Sequence, residues 1–306
     1  MRSETEGLTG NIFSIERHAL HDGRGIRTIV YFKGCPLRCL WCCNPESQET
    51  RSHLAFFGEK CISCQKCIEV CPEHANRLSD AGIEHSRDLC TACGRCVDAC
   101  PADARRLWGR RMTVADVLAE VRKDIPFFFA SGGGVTISGG EATIQAPFVG
   151  QLLLACREQG IHTALETCGF VPWATFKEIL PLVDQWLYDL KTMDCAQHVA
   201  LTGASNQLIL DNARRLAEHG AAMTIRAVVI PGCNDSDEDI HRLTEFVKGL
   251  PGPPPVELLP YHPYGLPKYE RLGRRYPLPG TEPPTPARVS YLRELVRSYG
   301  LHCEVS

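Results

Sequence analysis

The sequence predicts an α/β protein whose main domain is a partial (β/α)6 barrel, interrupted by a cysteine-rich insertion. Two observations support this prediction. After an opening strand, six short apolar runs have the character of strands, and helices separate five of them, which is the pattern of right-handed βαβ units in a parallel sheet. Residues 55–105 differ from the flanking segments 1–54 and 106–306 because they contain eight cysteines. An open doubly wound sheet is the alternative arrangement of the same strands.

Each element follows from its local pattern. Apolar runs predict strands at about residues 10–16, 28–33, 132–141, 161–166, 185–190, 223–230 and 256–259. Thr113 can cap the first long helix, because its side chain precedes an apolar face and Asp116 lies in the first turn. Helical spacing predicts further helices at about residues 148–159, 173–180, 212–218, 235–248 and 286–299.

Composition excludes several classes of protein. A chain of 306 residues is long enough for one large domain with a small insertion. The net charge of −3 gives no basic face for nucleic acid. No apolar run approaches the roughly 20 residues needed to cross a membrane, and residues 1–7 lack the apolar region of a signal peptide. We therefore expect a soluble, cytoplasmic protein that binds neither nucleic acid nor membrane.

A loop directly after the first barrel strand carries three thiols with C-x3-C-x2-C spacing: Cys35, Cys39 and Cys42. Three thiolates can hold three irons of a 4Fe–4S cluster, for which four cysteines are the usual ligands. The fourth iron would then be open to a small molecule. A structural zinc site with a distant fourth ligand is the alternative that spacing alone leaves open.

The insertion contains an internal repeat of the run C-x2-C-x2-C-x3-C-P, which is the pattern of bacterial ferredoxins. In that arrangement the fourth cysteine of each run ligates the other cluster. One 4Fe–4S cluster would be held by Cys61, Cys64, Cys67 and Cys100, and the other by Cys90, Cys93, Cys96 and Cys71. Paired zinc ribbons are the less favoured alternative. Of the chain's 17 cysteines, six lie outside the three groups, and most of these, Cys43 among them, are expected to be inert.

Polar or glycine residues follow every predicted barrel strand, where the chemistry of such folds is found. These positions are Gly139, Gly140, Glu141, Glu166, Thr167, Asp189, Lys191 and His262, and the strand that carries Arg226 ends at residues 231–235. Asp189 and Lys191 can form an ion pair at the rim or contact a ligand and substrate. Arg226 lies in an apolar strand, so it needs a carboxylate partner from the protein or from a ligand.

Taken together, these motifs resemble those of the radical S-adenosylmethionine (radical SAM) superfamily. The segments His21-Asp-Gly, Cys42-x-Asn-Pro-Glu-Ser, Ser138-Gly-Gly-Glu, Asp189-Leu-Lys and Leu258-Leu-Pro-Tyr-His are similar to those of glycyl radical enzyme activating enzymes. The resemblance covers about residues 10–300. The eight-cysteine insertion matches the subgroup of this family that has a ferredoxin-like domain. Two departures are Arg24, where the family usually has proline, and Glu166, which is often aspartate.

The resemblance implies a role for each matching residue. Cys35, Cys39 and Cys42 would hold the catalytic cluster, with S-adenosylmethionine on its open iron. The Gly139-Gly140-Glu141 turn would accept from the ligand's amino group. The resemblance also implies that Lys191 and Arg226 lie near the ligand's carboxylate. His262 would lie near the ribose and Trp41 by the adenine. Glu166 with Thr167 would help to hold a monovalent cation, and Asp189 would contact the substrate backbone.

The resemblance further implies an activity and its partners. The enzyme would cleave S-adenosylmethionine reductively, and the 5′-deoxyadenosyl radical would take a hydrogen from a glycine of a partner glycyl radical enzyme. Flavodoxin or ferredoxin would be the electron donor, and the two further clusters could relay electrons, bind the partner or support folding. The alternatives are a radical SAM enzyme that modifies a small molecule or peptide, a three-cluster electron-transfer protein, and a zinc-binding scaffold.

Overall fold

The computed structural model describes residues 7–80 and 82–306. The prediction about a signal peptide rests mainly on residues 1–6, which lie outside the described residues. The strands are β1 (Thr9–Ala19), β2 (Arg27–Phe32), β3 (His53–Phe56), β4 (Asn76–Ser79), β5 (Gly82–His85), β6 (Arg105–Trp108), β7 (Arg110–Thr113), β8 (Gly134–Gly139), β9 (His162–Thr167), β10 (Gln185–Asp189), β11 (Met223–Val229), β12 (Val256–Pro260) and β13 (Cys303–Val305).

The helices alternate with the strands after the insertion. They are α1 (Lys66–Glu69), α2 (Arg95–Asp98), α3 (Val114–Val121), α4 (Ile125–Ser131), α5 (Ala146–Arg157), α6 (Trp173–Ile179), α7 (Cys195–Thr202), α8 (Gln207–Glu218), α9 (Asp237–Lys248), α10 (Leu266–Arg271) and α11 (Pro286–Ser298). Within the described ranges, no helix is long and apolar enough to span a membrane.

One nine-stranded sheet organises the main domain, in the order β13-β12-β11-β10-β9-β8-β2-β1-β7. The six predicted barrel strands β2, β8, β9, β10, β11 and β12 are neighbours in sequence order, and every pairing between them is parallel. Strands β1 and β7 extend the β2 edge in antiparallel fashion. The predicted α/β fold with a mostly parallel sheet is therefore confirmed.

The sheet is strongly curled. Asp22, just before β2, and Arg226, on β11, have polar atoms 3.2 Å apart, although three strands lie between β2 and β11. Strands four places apart in a flat sheet would be separated by about 19 Å, at roughly 4.8 Å per strand. The curl therefore turns one face of the sheet into an enclosed interior, while the other face packs on the helices. That outer core includes Val30, Ile137, Leu165, Leu152, Phe176 and Leu216.

The sequence predicted the long elements more accurately than the short ones. Thr113 does cap α3, and its side chain and that of Asp116 form a reciprocal capping box. Helix α8 begins at Gln207 rather than near residue 212, so that prediction was wrong at its start. The Asn212 amide lies inside the helix and donates to two carbonyl oxygens before α6, those of Gly169 and Val171. Helices α4, α7 and α10 and the edge strands β7 and β13 were not predicted.

The insertion has a backbone repeat with a period of 29 residues. Helix α1 and helix α2 occupy equivalent positions, as do β3 with β5 and β4 with β6. Residues with positive φ recur at the same offset, including Ser63 with Ala92 and His74 with Asp103. The strands pair across the repeat, β3 with β6 and β4 with β5, both antiparallel. The two halves are thus related by an approximate two-fold symmetry.

A buried polar chain joins the insertion to the main domain. The fully buried Lys33, at the end of β2, donates to the Glu46 carbonyl oxygen, and its Nζ lies 3.0 Å from Nδ1 of His53 on β3. The other ring nitrogen of His53 is 2.8 Å from Glu49, which also pairs with Arg274. Burial, and next the charge of Lys33, lower the pKa of His53 to about 4.

This polar chain predicts a pH dependence of stability. Because the folded-state pKa of His53 is depressed, its neutral form stabilises the fold fully above about pH 6.5, and this contribution is lost as the pH falls toward 4. We expect wild-type stability to fall by at most about 3 kcal/mol from this cause between those pH values. The variant His53→Gln should lose this part of the pH dependence of its free energy of unfolding, measured by urea denaturation at each pH. The control His302→Gln, at an exposed position, should keep it. Equal slopes in all three proteins would contradict the assignment.

Candidate active site

The loop after β2 carries three partly buried thiols: Cys35, Cys39 and Cys42. Its backbone is fixed by the end of α7, because the Arg38 N–H donates to the Thr202 carbonyl oxygen at 2.7 Å and the Leu40 N–H donates to that of Leu201 at 3.0 Å. The loop therefore lies at the carboxyl-terminal edge of the parallel strands, as the sequence predicted.

The three thiols of this loop differ in how readily they ionise, because a hydrogen bond with Cys168 lowers the pKa of Cys35. Burial raises the pKa of Cys39 to about 12, although the Lys191 ammonium opposes that shift. Burial, followed by the charges of neighbouring thiols that include Cys39, also raises the pKa of Cys42. Thiols so close together ionise readily only beside positive charge, which cluster iron supplies. Across residues 7–80 and 82–306, no three His, Cys, Asp or Glu side chains are arranged for a single metal ion.

The turn after β8 is pressed against the cysteine loop. Gly139 has φ +124°, and a Cβ there would lie 2.2 Å from the Phe32 nitrogen. A Cβ on Gly140 would lie 2.2 Å from the Gly34 carbonyl oxygen, which accepts from the Glu141 N–H at 2.8 Å. The two glycines are therefore required by contact with the protein's own backbone. Their predicted approach to a ligand stays a prediction.

Glu141 links the ends of two strands through its fully buried carboxylate. One oxygen accepts from the Thr143 hydroxyl at 2.6 Å, and the other accepts from the Thr167 hydroxyl and the Cys168 N–H, both at 2.8 Å. The structure thus brings two predicted site residues, Glu141 and Thr167, into direct contact. All of these bonds hold the turn in place and join β8 to β9.

Arg226 is surrounded by carboxylates in the interior formed by the curled sheet. Only 5% of its side chain is exposed, and its Nη1 lies 3.2 Å from Asp22 and 3.0 Å from Glu166. Its Nε is 2.9 Å from Glu257, an ion pair without hydrogen-bond geometry. Ser138 donates to the other oxygen of Glu166. The partner that the sequence required for Arg226 is thus supplied by protein carboxylates.

This cluster of charges affects the protonation of Glu166. Burial raises the pKa of Glu166, and the Arg226 guanidinium only partly opposes that effect. The neighbouring carboxylates of Asp189 and Asp22 raise it further. The raised pKa of Glu166 thus reflects burial first and the neighbouring carboxylates second.

Asp189 and Lys191 form the ion pair that was one of the two predicted arrangements. The Lys191 Nζ lies 2.9 Å from the Asp189 carboxylate, and 10% of the Lys191 side chain is exposed. Burial lowers the pKa of Lys191, but the Asp189 carboxylate and the Cys39 thiolate outweigh it, so the pKa is raised overall. Lys191 therefore remains a cation between the cysteine loop and the carboxylate cluster.

The two predicted contacts for the nucleoside lie at the same edge. The exposed His262 follows β12 and stacks on Tyr264, with ring centroids 3.8 Å apart and planes 26° apart. Trp41 is 6% exposed and packs in a cluster that includes Tyr261. Trp41 thus shares a cluster with the residue that precedes His262, and the roles of Trp41 and His262 stay predictions.

Sequence reasoning gave no role to three side chains of this site. Asp22 and Glu257 are ion-pair partners of Arg226, and Ser138 holds Glu166. Asp22 lies in a glycine-flanked motif that the sequence analysis had noted without giving it a role. Glu257 could have been found because it is a charged residue in an apolar strand, which is the signal that identified Arg226.

The cysteines of the insertion also converge. Four of them, Cys71, Cys90, Cys93 and Cys96, line a single cavity. Burial raises the pKa of the Cys96 thiol, and the charge of Arg105 opposes this shift. The charges of Cys90, Cys71 and Cys93 raise the pKa further. The sulfurs of Cys71 and Cys100 each accept an N–H four residues ahead, from Ala75 and Ala104, at 3.3 Å. A donor set of this chemistry fits a 4Fe–4S cluster.

The fold and this arrangement of thiols and charges define a class of enzyme. A family model described as the radical SAM superfamily matches residues 29–244. A radical SAM methyltransferase from Sphaerobacter thermophilus shares the fold, with a TM-score of 0.54 and 16% identity over 92% of this chain and 66% of its own. The chain is a radical SAM enzyme, a class that uses a 4Fe–4S cluster and S-adenosylmethionine.

Its relatives define the family within that class. The chain is 38% identical to the choline trimethylamine-lyase activating enzyme of Oleidesulfovibrio alaskensis, over 94% of this chain and 95% of that protein. It is 42% identical to the isethionate sulfite-lyase activating enzyme of Nitratidesulfovibrio vulgaris, over 88% and 90%. It is 37% identical to the trans-4-hydroxy-L-proline dehydratase activating enzyme of Clostridioides difficile, over 96% and 98%. The chain belongs to the glycyl radical enzyme activating enzymes.

The close approach at Gly140 can be tested by substitution. Gly140→Ala places a methyl group 2.2 Å from the Gly34 carbonyl oxygen, so the turn or the cysteine loop must move. We expect S-adenosylmethionine cleavage to fall at least about tenfold, since small displacements of positioning groups are costly in enzymes. The matched control is Gly150→Ala in α5, where the added Cβ meets only Ile179, at 3.6 Å. Retention of full cleavage activity by Gly140→Ala would contradict this account of the turn.

Proposed function

We propose that the predicted site residues of this enzyme hold the catalytic cluster and S-adenosylmethionine, and so allow it to act on a glycine of its partner glycyl radical enzyme. The observation that carries the proposal is the position of Lys191. This largely buried cation is held by Asp189 and lies near Cys39 of the thiol loop. The Asp189 carboxylate in turn acts on Glu166 and Arg226. That edge can receive a ligand carrying an amino group, a carboxylate and a sugar.

The thiols Cys35, Cys39 and Cys42 would hold the catalytic cluster. Bound there, a reduced 4Fe–4S cluster supplies one electron to S-adenosylmethionine, which splits into methionine and a 5′-deoxyadenosyl radical that takes a hydrogen atom from a glycine Cα of the partner. A ligand of net positive charge is favoured in the interior, where the carboxylates around Arg226 outnumber the cations.

The protein residues would bind and orient the ligand. Lys191 and Arg226 would contact its carboxylate, and backbone carbonyls of the Gly139-Gly140-Glu141 turn would accept from its amino group. His262 and Trp41 would hold the nucleoside at the mouth of the site. Glu166 with Thr167 would contribute to a site for a monovalent cation, and Asp189 would contact the incoming glycine loop.

Residues 55–105 would form a ferredoxin-like domain with two further 4Fe–4S clusters, inserted between segments 1–54 and 106–306 of the barrel domain. Its support is the 29-residue repeat and the four cysteines that line one cavity. The low-potential donor would be a flavodoxin or ferredoxin, and the protein would work in the cytoplasm. The partner would be one of the lyases, dehydratases or decarboxylases for which relatives of this chain are named.

Lys191 provides the test. Lys191→Met removes the cation that Asp189 holds, and it leaves that carboxylate without its partner, so we expect at least about tenfold weaker S-adenosylmethionine binding. The glycyl radical signal on the partner, measured by EPR after anaerobic incubation, should fall with it. Lys177→Met, at an exposed position on α6, is the control and should match the wild type.

Two results would oppose the proposal. Wild-type binding and radical yield in Lys191→Met would remove Lys191 from the binding site. Catalytic S-adenosylmethionine turnover without any radical on the partner would favour a radical SAM enzyme that modifies a small molecule or peptide.

A further inference from the structure

The two cysteine sets of the insertion differ in their relation to the barrel domain. The cavity lined by Cys71, Cys90, Cys93 and Cys96 is also lined by Leu54 and Leu107. These leucines face each other across the β3–β6 pair. This pair is continuous with the main domain, because β6 is followed at once by β7, the edge strand of the large sheet.

The repeat places the other set on the opposite side. The equivalents of Leu54 and Leu107, 29 residues away in each case, are Ile83 and Leu78, which face each other on the β4–β5 hairpin. Cys61, Cys64, Cys67 and Cys100 would accordingly lie against this hairpin. Within residues 7–80 and 82–306, the hairpin pairs with no strand of the large sheet, and Leu78 is 54% exposed.

A series of neighbouring side chains leads from the set Cys71, Cys90, Cys93 and Cys96 toward the catalytic loop. Cys90 and His53 line one cleft, next to Arg51 and Arg87. His53 lies 3.0 Å from the buried Lys33 ammonium, and Lys33 is two residues before Cys35.

The Cys61 run has a more exposed link to this loop. Glu59, two residues before Cys61, pairs with Arg271 of α10 at 3.7 Å. Lys268 of the same helix donates to Asn44, two residues after Cys42.

We propose that Cys71, Cys90, Cys93 and Cys96 form the proximal cluster site, which faces the catalytic loop, and that Cys61, Cys64, Cys67 and Cys100 form the distal site. This assignment rests on the proposed cluster-binding role of the insertion. One electron from a low-potential protein donor would enter at the distal site and leave at the proximal site, and each transfer oxidises one centre and reduces the next by one electron. The fold of this chain would set the order in which the electron passes the two sites.

Matched variants can separate the two sites, because Cys64 and Cys93 are both exposed and occupy equivalent positions in the repeat. Wild-type protein should contain about twelve irons, and Cys64→Ala and Cys93→Ala about eight each. The readout is the microwave-power saturation of the EPR signal from the reduced catalytic cluster with S-adenosylmethionine bound. A nearby paramagnetic cluster speeds relaxation, so Cys93→Ala should saturate at several-fold lower power, and Cys64→Ala should resemble the wild type.

A second pair tests the crossed pairing and covers the case in which Cys93→Ala does not fold. Cys71→Ala should behave as Cys93→Ala does, although Cys71 belongs to the first run, and Cys100→Ala should behave as Cys64→Ala does. Lower-power saturation in Cys64→Ala and Cys100→Ala, or no change in any variant, would overturn the order proposed here. Wild-type protein with about four irons would overturn the proposal that the insertion binds clusters. The activating function would be contradicted only by the absence of a glycyl radical on the partner.

Discussion

The contact between the turn after β8 and the loop after β2 is the constraint on which the active site depends. Backbone atoms of Gly139 and Gly140 lie so close to Phe32 and Gly34 that neither glycine can carry a side chain. The Glu141 carboxylate then fixes this turn to the end of β9. The thiol loop, the turn and the next strand are therefore positioned as one unit, which is what a reaction through a short-lived radical requires of its binding site.

The curled sheet adds a second constraint. It brings Asp22 and Glu257, from elements far apart in the sheet order, onto one guanidinium. Buried charges are tolerated only when paired, so Arg226 and its carboxylates stabilise the interior only as a set. Because the negative charges outnumber the cations, the same interior is suited to a ligand of net positive charge.

The sequence predicted the parallel strands and the position of the site because both depend on local patterns. Apolar runs identified β2 and β8 to β12, and strand ends identified Glu141, Thr167, Asp189 and Lys191. It could not show that Glu141 contacts Thr167, since that contact depends on the packing of neighbouring strands. Asp22 was missed for a similar reason, because its distance to Arg226 is set by the curl of the whole sheet. The short helices α4, α7 and α10 carry too few turns for a clear helical period.

The central claim is that the radical generated here takes its hydrogen atom from a glycine of a partner protein. The most direct test uses partner protein labelled with deuterium at glycine Cα, incubated anaerobically with this enzyme, a reductant and S-adenosylmethionine. Mass spectrometry of the 5′-deoxyadenosine should show one deuterium atom per molecule, in proportion to the glycyl radical formed. Unlabelled 5′-deoxyadenosine formed at the same rate, with or without the partner, would contradict the account.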